Sequence, residues 1–303
     1  MFTGQTVRVI LNPTSGTERG RHVTDVISHE LRLAGVSDLD VRTTRSGSDA
    51  VRWAGEAAAD GFGIVIAAGG DGTVTAVAHG VRKAGADTLI GIVPLGTGNG
   101  LARILQVPLD TVAALRALQQ GKAVPLDVLD VPSHEATSLL FLGAGLDAEI
   151  NRDADPEDKA RLGFLAYVQA TFSNLTDRRN HDITLLLDGS ETSLQAHTVS
   201  VFNATHLKLL GAQVGPDAHP HDGVAEVAVL TSQGLLQTVG QVLRVVDRNA
   251  SRPVLRKIRE LQLQAEPPML VHIDGDVVGE TPLALRVVPA ALRFIAGRDY
   301  RLP

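Results

Sequence analysis

Three short stretches combine glycine with side chains that can hold an anion or move a proton. They are Asn12-Pro13-Thr14-Ser15-Gly16, Gly69-Gly70-Asp71-Gly72-Thr73 and Leu95-Gly96-Thr97-Gly98-Asn99-Gly100. Glycine lets backbone N–H groups approach an anion without side-chain obstruction. Thr73 and Asn99 are expected at the starts of helices, where the dipole and free N–H groups favour phosphate. Asp71 stands between glycines, where a carboxylate adds nothing to a core but can hold a metal ion or receive a proton. The chemistry this predicts is phosphate handling. A lone Gly-Thr-Gly can be only a tight turn; three such loops, each following a strand, are a stronger signal. Neither the Walker pattern nor GxGxxG occurs, which excludes an ordinary P-loop or dinucleotide fingerprint.

The elements that must carry these loops are legible around them. Val7–Leu11, Gly63–Ala68 and Leu89–Pro94 are short apolar runs, as expected of strands covered on both faces. Leu39–Thr43 reads as a further strand. Helical spacing marks His22–Leu33, Asp49–Ala59 with Ser48 or Asp49 as cap, Thr73–Lys83, Leu101–Leu105 and Thr111–Gln119. Alternating strands and helices predict a doubly wound parallel sheet, whose strand carboxyl ends, and hence the three loops, share one edge.

The pattern changes after Gly121. Ala123–Val131, Ser138–Leu142, Ile183–Leu187, Thr198–Asn203, Val224–Leu230, Met269–Ile273 and Leu283–Val288 read as strands. Helical patterns interrupt them only at Glu157–Leu175 and Gly234–Val246. Asp188-Gly189 and Asp274-Gly275 are hairpin signals. The expected layout is α/β with two domains: a parallel-sheet nucleotide domain over 1–122 and a mostly antiparallel β-sandwich over 123–288.

At 303 residues the chain can bury two cores, and 44% hydrophobic residues make it globular. The net charge of −6 gives no general attraction to nucleic acid. The absence of cysteine excludes disulfides, zinc thiolates and thiol nucleophiles. No secretory signal or membrane-length apolar stretch is read, so the expected location is cytoplasmic. His206, His219 and His221 lack a fixed ligand spacing and are expected to be solvent-facing polar residues. The apolar face of Gly234–Val246 is expected to pack in a core, and Arg244 to Arg259 to form a solvated basic face, which could also meet anionic head groups.

Ala67-Ala68-Gly69-Gly70-Asp71-Gly72-Thr73 resembles the nucleotide signature shared by diacylglycerol, sphingosine and NAD kinases. Pro94 to Arg103 and Asn12 to Gly16 resemble segments of the diacylglycerol and sphingosine branch. So, further on, do Gly143 to Ala148, Lys159–Tyr167, His221-Asp222-Gly223 and His272-Ile273-Asp274-Gly275-Asp276. The chain is thereby identified as similar to bacterial diacylglycerol kinase-like lipid kinases. That resemblance implies transfer of the γ-phosphate of ATP to a lipid hydroxyl, most simply that of diacylglycerol, with ATP in a cleft between the domains. ATP would be held by Asn12, Pro13, Thr14, Ser15, Gly16, Thr44, Gly69, Gly70, Asp71, Gly72, Thr73, Thr97 and Asn99. Asp276 or Asp71 would accept the hydroxyl proton. A structural magnesium would be held by Asp222 with the carbonyls of His219 and Val224. Asp71, Asp127 and Asp274 would belong to the metal and water network of a catalytic magnesium. Residues 289–303 would pack back on the first domain. The expected partner is a lipid at the inner membrane surface, met transiently and peripherally, with no nucleic acid and with a homodimer allowed.

The chain departs from the family pattern at Thr75-Ala76, where Asn-Glu is usual, and at Gly100 and Asp276, which replace Asp and Glu. His206 to Leu210 replaces a glycine-rich stretch. These changes bear on the acceptor more than on the nucleotide. A sphingoid-base kinase, a soluble-substrate kinase and a non-catalytic nucleotide-binding regulator stay open at this point.

Overall fold

A computed structural model describes residues 1–14, 20–145, 180–205, 207–209, 212–214, 218–231 and 255–301. The chain divides into two compact units, Met1–Leu126 with Ala290–Pro303, and Asp127–Pro289.

The first unit runs β1 (Thr6–Leu11), α1 (Gly20–Leu33), β2 (Asp38–Thr43), α2 (Gly47–Ala59), β3 (Ile64–Gly69), α3 (Asp71–Ala84), β4 (Leu89–Pro94), α4 (Gly100–Ile104) and α5 (Thr111–Gln120). Its strands are parallel in the order β2-β1-β3-β4. Every residue of β3 is buried, which explains its unbroken apolar run. With right-handed crossovers this order places α2 and α3 on one face and α1 on the other; accordingly α2 packs on α3, and α1 on α5. The cap of α2 is Ser46, earlier than Ser48 or Asp49. Its hydroxyl accepts the Asp49 N–H at 3.3 Å, while Asp49 accepts the Arg45 N–H at 3.0 Å. Arg8 lies buried within β1, donating to Asp40 at 2.8 Å and to the Trp53 carbonyl at 3.2 Å.

The second unit takes up the chain within β5 (Lys122–Val131) and continues with β6 (Ala136–Ser138), β7 (Phe141–Gly145), β8 (His181–Leu187), β9 (Ser190–Ala196), β10 (Thr198–Phe202), β11 (Leu207–Leu209), β12 (Ala212–Val214), β13 (Ala225–Leu230), β14 (Leu255–Ile258), β15 (Glu260–Glu266), β16 (Leu270–Ile273), β17 (Asp276–Glu280) and β18 (Leu283–Ala296). One antiparallel sheet has the order β14-β13-β10-β7-β16-β17. A second contains β18, β15, β8 and β9, with β5 beside β18. Val201, Val227 and Val271 of the first sheet share a core with Leu129, Leu185, Leu261 and Leu285 of the second, which makes the unit a β-sandwich. Asp188-Gly189 and Asp274-Gly275 have positive φ at both positions (47° and 81°, 49° and 97°), as two-residue type I′ hairpins require.

Two expected strands differ. Ser138–Leu142 is broken at Leu139 and Leu140, for a reason given below. Leu283–Val288 extends to Ala296, bending at Ala290 (φ 48°), where the chain passes into the first unit and pairs parallel with β4 through Arg293 and Phe294. The expected helices Glu157–Leu175 and Gly234–Val246 lie outside the described residues.

Candidate active site

Because β1, β3 and β4 are parallel, their loops start side by side. The Asn12 N–H donates to the Ala68 carbonyl and the Leu95 N–H to the Gly69 carbonyl, both at 2.9 Å. The Thr44 N–H donates to Leu11 at 2.8 Å, and its buried hydroxyl reaches the same carbonyl at 3.3 Å. The Asn12 carboxamide then ties two loops together. Its nitrogen donates to the Thr73 hydroxyl at 3.2 Å, and its oxygen accepts from the N–H and hydroxyl of Thr14 at 3.1 and 2.8 Å. Pro13 and Thr14 are exposed; Ser15 and Gly16 lie outside the described residues.

The glycines serve close approach. None of Gly69, Gly70, Gly96 and Gly98 has a positive φ. A Cβ on Gly69 would collide with the Thr73 side chain, and one on Gly96 would lie 2.5 Å from the Gly70 Cα. A Cβ on Gly98 would lie 2.9 Å from a carboxylate oxygen of Asp71. Asp71 opens α3, and its other oxygen accepts the Leu101 N–H at 3.4 Å. Asn99 is buried in the left-handed region (φ 50°), which asparagine tolerates. Its oxygen accepts the Gly96 N–H at 3.0 Å and its nitrogen donates to the Gly96 carbonyl. Gly72, Thr97 and Gly98 are exposed. No side chain caps α3 at Gly70, so the positive end of this 14-residue helix lies where the glycines let the loops after β3 and β4 pack together. A helix start of this kind favours an anion such as a phosphate group.

In the second unit Asp274 has a definite task. One carboxylate oxygen accepts from the Ser138 hydroxyl (2.8 Å) and the N–H groups of Leu140 and Phe141 (both 3.0 Å); the other accepts from Leu139 N–H (2.9 Å). Three successive backbone donors turn to this carboxylate, which is why the expected Ser138–Leu142 strand breaks. With four protein donors, Asp274 pins the β16–β17 hairpin to the segment between β6 and β7. Asp276 follows the turn, exposed, paired with Ile273. Exposed Val277 and Val278 come next.

Asp127 is 3% exposed; its carboxylate accepts the Gly223 N–H at 2.7 Å. The fully buried Asn203 donates to the carbonyls of Asp127 and Leu139 at 3.0 and 2.8 Å. Asp71 and Asp127, expected in one network, belong to different units. The residues for the structural magnesium do not fit it. Asp222 accepts from the Lys257 ammonium at 2.8 Å and the Val224 N–H at 3.3 Å, while the His219 carbonyl accepts the His221 N–H at 2.8 Å. Sequence reasoning missed Ser138 and Asn203, whose partners lie 136 and 76 positions away, and expected Lys257 only as part of a basic face, not paired with Asp222 35 positions away.

A parallel sheet with glycine loops at its strand ends, followed by an antiparallel sandwich, defines the class of kinases built on the NAD kinase-like plan. Residues 6–131 match the diacylglycerol kinase catalytic domain, and residues 141–296 the YegS C-terminal NAD kinase beta sandwich-like domain. The chain belongs to the diacylglycerol kinase-like lipid kinase family. It is 29% identical to the diacylglycerol kinase of Bacillus subtilis (strain 168) over 282 residues, covering 91% of both chains. It is 30% identical to a protein of Xanthomonas axonopodis pv. citri (strain 306) named "Probable lipid kinase YegS-like", covering 87% of this chain and 88% of that one. A crystal structure of a diacylglycerol kinase from Bacillus anthracis str. Sterne has the same fold, with a TM-score of 0.79 at 24% identity over 97% of both chains.

Proposed function

We propose that the chain is an ATP-dependent kinase that phosphorylates a lipid hydroxyl, with diacylglycerol as the acceptor and phosphatidic acid as the product. The observation that carries this reading is the meeting of Gly70 with Gly96 and of Asn12 with Thr73 at the uncapped start of α3. The positive end of that helix suits the phosphates of a nucleotide. Magnesium, bound with the nucleotide, would supply charge neutralisation on the transferring group.

The acceptor oxygen attacks the γ-phosphorus, the bond to the bridging oxygen breaks, and ADP carries away that electron pair. The hydroxyl proton goes to a carboxylate. Asp276 suits this role because it is exposed, while Asp274 beside it fixes the turn. Asp71 suits a different one: it accepts the Leu101 N–H and packs at Gly98, so it organises the phosphate loops. No helix among the described residues is long and apolar enough to cross a membrane.

ADP release with magnesium-ATP and, in turn, diacylglycerol, a sphingoid base or NAD tests the reading. Turnover should be highest with diacylglycerol. Turnover only with NAD would replace the lipid acceptor. ATP binding with no turnover would favour a regulator.

A further inference from the structure

The loop from His219 to Val224 takes a cation of its own. Asp222 accepts from the Lys257 ammonium at 2.8 Å, and strand register delivers that ammonium. Lys257 lies on β14 directly opposite Glu226 of β13, and directly opposed residues of an antiparallel ladder project to the same face. Glu226 is buried. The two strands therefore present Lys257 on a face that already carries a buried carboxylate, at the edge where Asp222 closes the loop.

We infer that the Lys257 ammonium replaces the divalent ion that the fold family places here, so that this loop is ordered without metal. An ion arriving at Asp222 meets a like charge. At about 4 Å, repulsion between a single and a double charge lowers affinity about 30-fold even in bulk water. The His219 carbonyl already accepts the His221 N–H, so part of its lone-pair density points into the loop. The Lys257 and Asp222 side chains are 57% and 33% exposed, so the pair adds little to stability by itself, and its signature is the metal response. The inference holds whatever the acceptor and whether or not the chain turns over.

The test uses the full chain without nucleotide, following manganese binding by electron paramagnetic resonance and melting temperature in magnesium or chelator. Wild type and Asp222→Asn should respond identically to metal. Lys257→Met should gain a manganese site about 30-fold tighter than wild type offers at this loop, and a melting temperature that rises with magnesium. Adding Asp222→Asn to that variant should remove both gains. Lys257→Gln serves the same purpose if the methionine variant does not fold. A wild-type metal response that Asp222→Asn abolishes would overturn the inference, as would the absence of any gain on losing the ammonium.

Discussion

Gly70 and Gly96 meet backbone to backbone: a Cβ on Gly96 would lie 2.5 Å from the Cα of Gly70. This contact sets the spacing of the loops after β3 and β4. Gly96→Ala is therefore expected to cost about 1–3 kcal/mol of stability and to weaken ATP binding about tenfold or more. Thermal melts and a nucleotide titration measure the two effects. Unchanged ATP affinity in a destabilised variant would separate the contact from phosphate handling.

Asn12 and Thr73 join the first loop to α3. A double-mutant cycle with Asn12→Ala and Thr73→Val should give a coupling of about 1 kcal/mol. Strict additivity in chemical denaturation would remove this hydrogen bond from the account.

Asp274 and Asp276 stand two residues apart and should fail differently. Asp274→Asn keeps an oxygen for the three donors that share one but sets an NH2 against the Leu139 N–H; it should cost about 1–3 kcal/mol, with slower turnover. Asp276→Asn, at an exposed position, should change stability by less than about 0.5 kcal/mol. It should lower turnover roughly 10²–10⁴-fold. The reverse pattern would exchange the two roles.

At the start of α2, the Arg45 N–H holds the Asp49 carboxyl below its ordinary value of 3.8; partial desolvation opposes this, and Arg52 and Ser46 assist it. A depressed carboxylate contributes stability above its unfolded pKa and loses it as pH falls through the folded one. Asp49→Asn should therefore be less stable than wild type near neutrality. The gap should close as acid takes the pH below 3.8. A gap that persists in strong acid would mean that charge is not its cause.

The parallel unit was legible because each of its strands is a local apolar run and each loop carries its own glycines. Even there, Arg8 sits buried in β1, tolerated because Asp40 and the Trp53 carbonyl take its donors, partners that no local pattern reveals. The sandwich was less legible. Ser190–Ala196 is an exposed strand with few apolar residues, whereas Glu260–Glu266 does alternate, burying Leu261 and Leu263. The break at Leu139 and Leu140 depends on a carboxylate more than 130 positions away. The hairpin at Asp274-Gly275 was visible from its residue types. The occupation of the Asp274 carboxylate and the pairing of Asp222 with Lys257 were not, since both arise from tertiary contacts.

Transfer of labelled γ-phosphate from ATP to diacylglycerol in lipid vesicles is the direct measurement. The wild-type chain should place the label on the lipid as phosphatidic acid, and Asp276→Asn should place far less while still binding ATP. A wild-type chain that binds ATP tightly yet labels no lipid acceptor would contradict the assignment as a lipid kinase.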